Sequence, residues 1–310
     1  MPTRSEPTLR GEWAARTDTP KRSVFGNYRP DDAGSSGHES APSNQSQLTP
    51  VATNDQTTLQ AAIDLALARS FIHRFLAQAF EDPTPETWRW LSSASILSAL
   101  RFAAASLALP IQSSGEVLEQ ALERSTFESF QNACLAVFGH AARGTCPLNE
   151  IEYGDLKADP LFQPHRLADL AAFYRAFGLE VADDAGERHD HLCLEHEFMC
   201  VLAAKEAYAH EHQLDSEQFA QTQAAQKKFL CEHLGRWTPA FSRRLAGATK
   251  EPALRALAEF TRAFVESECA RFGVSFGSTE LSLRAVDESA DRMCDSCGIH
   301  NLPPGALAAT

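Results

Sequence analysis

The chain has 310 residues, 44% of them hydrophobic, and a formal net charge of -13. That is enough apolar material for one large domain or two small ones with a substantial core, and it excludes a largely disordered protein. The acidic balance argues against a dedicated nucleic-acid binder, which needs Lys and Arg to neutralise phosphates, and suits a partner that carries a basic segment.

From Met1 to about Asn54 the sequence is rich in Ser, Thr, Pro, Gly, Asp and Asn and poor in aliphatic residues, so residues 1–55 are expected to form a disordered tail. Within it Lys21-Arg22-Ser23-Val24-Phe25 has the outline of a twin-arginine export motif, but Lys21 stands in the first Arg position and no apolar run follows. We read it as a solvated basic patch. The most apolar stretch, Ile96 to Ile111, contains Arg101 and Pro110 and falls short of the ~20 residues that cross a bilayer. With no apolar run of a secretory signal near the N-terminus either, a cytoplasmic protein without a membrane span is expected.

Order is expected from Thr57, where Thr57-Thr58 can cap a helix with Leu59, Ile63, Leu67, Phe71 and Phe75 at near-helical spacing. Asp82-Pro83 ends it. Further helices are expected over Glu86–Leu91, Ile96–Leu107, Val117–Phe138, His165–Phe177, Asp190–Glu211, Ser216–His233 and Pro252–Phe272, punctuated by Gly139, Gly144, Gly178 and Gly186. Few windows alternate with period two and no repeat of fixed length is present, so the expectation is an all-α protein: one compact helical bundle over 56–272. Residues 273–310 form a looser C-terminal extension. Of the eight cysteines, Cys134, Cys193, Cys200, Cys231 and Cys269 fall in helical patterns and read as reduced packing residues.

The segment Ala171 to Met199 carries the candidate chemistry. Leu167, Leu170, Ala171, Tyr174 and Phe177 share one helix face. Gly178 stands where a helix C-terminus wants a left-handed residue. After a short acidic loop, His189-Asp190-His191 opens the next helix, and His191, Glu195, Phe198 and Leu202 follow at i, i+4, i+7 and i+11. Asp190 at the helix start can accept from free backbone N–H groups.

Three chemistries compete for this cluster. His196-Glu197 opens an HExxH pattern, but Cys200 replaces the second His, which weakens a metal reading. A His191/Glu195 acid–base pair would need a nucleophile, a phosphate loop or a GxSxG elbow, and the sequence has none of these. The third reading is structural: Asp190, His191 and Glu195 tie a loop to a helix beside a groove for a partner. Catalytic residues are accordingly not expected.

The run Ala168-Asp169-Leu170-Ala171-Ala172-Phe173-Tyr174-Arg175-Ala176-Phe177-Gly178-Leu179, followed by Asp190-His191-Leu192-x-x-Glu195-x-Glu197-Phe198-Met199, resembles the signature of the TorD/DmsD family of redox-enzyme maturation chaperones. Upstream Pro147-x-x-Glu150-x-x-Tyr153-Gly154 and downstream His233, Trp237, Pro239 and Phe241 fit the same layout. The resemblance covers roughly Thr57 to Phe272. Where the family usually places Pro before Asp-His, this chain has His189.

The resemblance implies an all-helical cytoplasmic chaperone. Its partner would be the precursor of a molybdenum-cofactor enzyme, met through its twin-arginine signal peptide, its apo catalytic subunit or both, until the cofactor is inserted before export. It implies client binding by Tyr174, Phe177, Gly178, Asp190, His191, Glu195 and Phe198, with no cofactor of the chaperone's own. Helix exchange between protomers makes a homodimer an open option. The alternative is a small metal-binding or redox accessory protein using Cys294-x-x-Cys297 with His300, although a single CxxC lacks the second pair of a convincing zinc site.

Overall fold

The helix that begins at Leu192 has no polar side over its first three turns: Leu192, Cys193, Leu194, Glu195, His196 and Phe198 through Ala203 are all buried. A helix that is apolar all round belongs at the centre of a bundle. The structure, a computed structural model, describes residues 54–139, 144–154, 162–182, 186–214 and 216–284. The basic patch at Lys21–Phe25 and the Cys294, Cys297 and His300 group lie outside the described residues.

Ten α-helices are present among the described residues: α1 (Asn54–Ala79), α2 (Pro85–Leu91), α3 (Ala94–Ala105), α4 (Leu109–Arg124), α5 (Phe127–Phe138), α6 (Phe162–Ala176), α7 (Leu192–Glu211), α8 (Ser216–Glu232), α9 (Leu234–Ala248) and α10 (Pro252–Arg271). A 3-10 turn, Glu150–Glu152, lies between α5 and α6. The largest interface joins α1 to α7; α8 packs on α7 and α9, α9 on α10, and α10 on α4. The described residues form an all-α bundle with no strand, only the isolated antiparallel bridges Asn149 to His191 and Tyr153 to Leu283. None of the described helices is long and apolar enough to cross a membrane. Phe75, Phe130, Phe198, Phe229, Phe241 and Phe260 are fully buried, each contributing about 2–3 kcal/mol through area removed from water.

Local chemistry sets the boundaries. Thr84 caps α2 by accepting the Thr87 N–H at 3.1 Å, with Pro85 in the first turn. The single helix expected over Val117–Phe138 is two helices, broken at Ser125-Thr126 because Thr126 and Ser129 form a reciprocal capping box that starts α5. Gly139, at φ 84°, ends α5. No helix was expected over Leu234–Ala248, where the structure places α9 with Pro239 inside it.

The chain tolerates Pro239 inside α9 for a visible reason. Pro239 has no N–H to offer the carbonyl of Gly235 four residues earlier, and the N–H of Gly277 takes that carbonyl at 3.0 Å. Residues 273–284 run back over the bundle to reach it. The Gly154 N–H donates to Ser282 O at 2.8 Å and the Arg284 N–H to Glu152 O at 2.9 Å. A side chain at Gly277 would place its Cβ 2.0 Å from Arg236 O, so this close approach requires glycine.

A buried ionic network spans the bundle. Arg69 on α1 is fully buried; it donates through Nε to Glu268 at 2.8 Å, through Nη1 to Glu206 at 2.6 Å and through Nη2 to Gln226 at 2.6 Å. Burial alone would raise the Glu268 carboxyl, but the Arg69 guanidinium outweighs it and holds the group at about 2.

Candidate functional site

The site is built where the stretch Leu148–Glu150 pairs with Asp190–Leu192. The Glu150 N–H donates to Asp190 O at 2.9 Å and the Leu192 N–H to Leu148 O at 2.8 Å. The Asp190 side chain, fully buried, completes the joint. It accepts from Arg188 Nε at 2.7 Å, from Arg188 Nη2 at 2.9 Å, from the Ile151 N–H at 3.1 Å and from Asn149 Nδ2 at 3.3 Å. A buried carboxylate held by a bidentate guanidinium and a backbone N–H is a strong, geometrically specific clamp. Asp190 therefore accepts a free backbone N–H, but from the 3-10 turn and not from the helix that follows it.

The cap of α7 is His191. Its Nδ1 accepts the Cys193 N–H at 3.3 Å and lies 2.9 Å from Cys193 Sγ. Burial pulls the imidazole down to about 4, so the ring is neutral at pH 7 and its Nδ1 is free to accept. Nε2 faces Glu187 at 3.5 Å. His191 and Glu195 do not pair. Glu195 instead accepts from Trp237 Nε1 at 3.1 and 3.3 Å. Burial pushes the Glu195 carboxyl well above the usual range, and the neighbouring charges of Glu150 and Asp190 push the same way.

Tyr174 locks the loop from the other side. Its hydroxyl donates to His189 O at 2.8 Å and its ring stacks on His189 at 6.3 Å between centroids. The residue in place of the family's proline is thus held by a hydrogen bond and an aromatic contact. Tyr174 and Phe177 both meet Phe198 edge to face, at 5.1 and 5.7 Å. Tyr174 and Phe198 are buried, while Phe177 is partly buried and Gly178 exposed. Gly178 adopts φ 76°, the left-handed turn that ends α6 and lets Leu179 N–H reach Tyr174 O at 3.0 Å.

A second layer of charge backs the joint. Glu150, fully buried, accepts from Arg166 Nη2 at 2.6 Å, from His233 Nδ1 at 2.9 Å and from Arg236 Nη2 at 3.0 Å. Burial works against its charge, yet the His233 hydrogen bond and the two guanidinium groups leave it below the ordinary carboxylate range. Arg166, Arg188 and Arg236 were not foreseen from the sequence. Arg188, two residues before Asp190, was the one with a local signal.

The HExxH-like segment is not assembled as a metal site. His196 Nδ1 meets His73 Nδ1 at 3.0 Å, while the Cys200 thiol faces Ser70 at 3.3 Å. Cys134, Cys193, Cys200 and Cys269 are buried free thiols, whereas Cys231 is exposed and does not pack as expected. Burial pushes the Cys134 thiol up to about 12, far from a reactive thiolate.

The described residues thus form an all-helical bundle whose signature residues lock a loop beside a groove. The model of the family described as nitrate reductase delta subunit matches residues 104–243. The selenate reductase assembly chaperone protein of Thauera selenatis is 31% identical over 163 residues, covering 51% of this chain and 79% of that protein. The perchlorate reductase assembly chaperone protein of Dechloromonas aromatica (strain RCB) is 29% identical over 191 residues, 60% of this chain and 81% of that protein. The chlorate reductase assembly chaperone protein of Ideonella dechloratans is 38% identical over 79 residues, 26% of this chain and 39% of that protein. The chain belongs to the TorD/DmsD family of molybdoenzyme maturation chaperones. These relatives are assembly chaperones, not catalysts.

Proposed function

We propose that this protein is a cytoplasmic chaperone that binds the precursor of a molybdenum-cofactor oxidoreductase, through its twin-arginine signal peptide, its apo catalytic subunit or both, and assists cofactor insertion before export. The observation that carries the reading is a groove of about 480 Å³ directly beside the Asp190 joint. Among the described lining residues Glu81, Asp82, Glu152 and Glu187 bring four carboxylates and Arg188 one guanidinium, with Arg284 also reaching Glu152 at 3.3 Å, and Leu135 and Phe138 give an apolar wall. An acidic rim over an apolar wall suits a segment in which arginines precede apolar residues.

On this reading the client-binding residues divide their labour. Asp190, Glu195, Tyr174 and Phe198 position the joint, His191 lines the groove, and Phe177 and Gly178 set the turn that leads towards it. Titration of the purified full chain with twin-arginine signal peptides of candidate molybdoenzymes, and with the same peptides carrying Ala in place of both arginines, tests the reading. Saturable binding that requires the arginines and weakens in Asp82→Lys and Glu187→Lys is expected. No binding to any such peptide or to the full precursors overturns it.

A further inference from the structure

At the junction of α8 and α9, His233 is fully buried and its two ring nitrogens have different surroundings. Nδ1 bonds the buried carboxylate of Glu150 at 2.9 Å. Nε2 has no hydrogen-bond partner among the described residues and points towards the Asp169 carboxylate on α6, with Oδ2 3.3 Å away. The Glu232 carboxylate, next in the chain, is the third member of the group: one donor atom from each of Asp169, Glu232 and His233 lies within 4.8 Å of the others.

We propose that Asp169, Glu232 and His233 form a binding site for a divalent transition cation of the zinc class. Two donors each about 2.1 Å from a tetrahedral ion stand about 3.4 Å apart, the separation already present between His233 and Asp169. The Glu150–His233 hydrogen bond is the carboxylate–histidine arrangement that fixes the tautomer of a metal-bound imidazole and raises its basicity. It presents the Nε2 lone pair to the ion. An imidazole with two carboxylates matches zinc better than magnesium or calcium, which prefer all-oxygen shells.

The two carboxylates keep the site open. The Asp169 side chain is 41% exposed, and the Glu232 side chain, 40% exposed, faces Lys228 at 3.7 Å, a surface pair that is worth little and easily exchanged. Three protein donors leave a fourth position for water or for a group on a partner. A bound ion would tie α6, which carries Asp169 and Tyr174, to the α8–α9 corner.

The experiment is zinc titration of the untagged full chain carrying Cys294→Ser and Cys297→Ser, so that the C-terminal thiols do not contribute. One zinc per chain is expected, with a rise in melting temperature. Asp169→Asn and Glu232→Gln alter half-exposed side chains and leave the fold intact; each is expected to weaken zinc affinity roughly tenfold or more and to abolish the thermal shift. Cobalt in place of zinc is expected to give the visible bands of a tetrahedral nitrogen–oxygen site, lost in the same two variants. Absence of stoichiometric zinc binding, or binding that is unchanged in Asp169→Asn and Glu232→Gln, overturns the proposal.

Discussion

His73 on α1 and His196 on α7 meet through their Nδ1 atoms at 3.0 Å, with both rings fully buried. One nitrogen must carry the proton and the other the lone pair. His73 Nε2 faces Glu268 at 3.5 Å, so the tautomer protonated on His73 Nε2 and His196 Nδ1 serves both contacts. It leaves His196 Nε2 as a buried acceptor with no partner among the described residues. The bond joins the two helices that share the largest interface, and it is lost once both rings are protonated, because neither Nδ1 then keeps a lone pair.

Stability is therefore expected to fall with acidification from about pH 6.5, the ordinary histidine value. Burial lowers the pKa of His73 and His196 and brings His191 to about 4. The unfolded chain takes up protons on these groups below about 6.5 more readily than the folded chain, so each costs stability as the pH falls, His191 on the order of 2 kcal/mol by pH 5. Glu268, held at about 2, adds a further loss from about pH 4.5 downward, where the unfolded carboxyl protonates first. Urea unfolding at pH 7.5, 6 and 5 checks this; a midpoint that does not move contradicts it.

Glu195 titrates in the opposite sense. Its folded pKa is raised by burial, so the stability it contributes is complete below its unfolded value near 4.5 and is lost as pH rises from there towards the folded value. Glu195→Gln keeps an acceptor for Trp237 Nε1 and removes the buried charge. The variant is expected to be as stable as the parent or more so at pH 8, and to lose stability more steeply on acidification. A destabilised variant at pH 8 would show that the carboxylate itself is needed.

Arg69→Leu is expected to be severe, at about 3–5 kcal/mol, because it strands the buried carboxylates of Glu206 and Glu268. Replacing all three charges together, with Glu206→Gln and Glu268→Leu, should recover much of the loss. Equilibrium denaturation of the single and triple variants measures both.

Asp190→Ala removes the acceptor shared by Arg188, Asn149 and the Ile151 N–H. A cost of about 3 kcal/mol is expected from buried donors left unpaired. Far-UV circular dichroism should stay helical while affinity for a signal peptide drops, because the 3-10 turn and the groove wall lose their common anchor.

The helical class and most helix spans were legible because apolar spacing and caps act within one or two turns. The capping box at Thr126 and Ser129 was equally local, yet the apolar run across it masked the break. Helix α9 was illegible for a different reason: what rescues Pro239 is Gly277, 38 residues away. The residues Tyr174, Asp190, His191 and Glu195 were singled out through a pattern, but the groups that they bond in the structure were not. Glu150 draws Arg166 and Arg236 from 16 and 86 residues away, and no periodicity records such a pairing.

Gly277→Ala tests the strap directly. Its Cβ would meet Arg236 O, so the segment must lift and Gly235 O loses its donor. A destabilisation of about 2 kcal/mol is expected, and Pro239→Ala, which restores the missing N–H, should recover part of it. Equal stability of Gly277→Ala and the parent would show that the strap bears no part of the fold.

Arg69 finds its carboxylate partner 199 residues further along the chain, at Glu268. At a synthesis rate of about 5–20 residues per second, a ribosome delivers Arg69 some ~10–40 s before the residue that neutralises it. During that interval the Arg69 guanidinium stays hydrated, because α1, whose largest interface is with α7, cannot bury it without stranding its charge. Helix α10, made last of the ten described helices, therefore closes the fold.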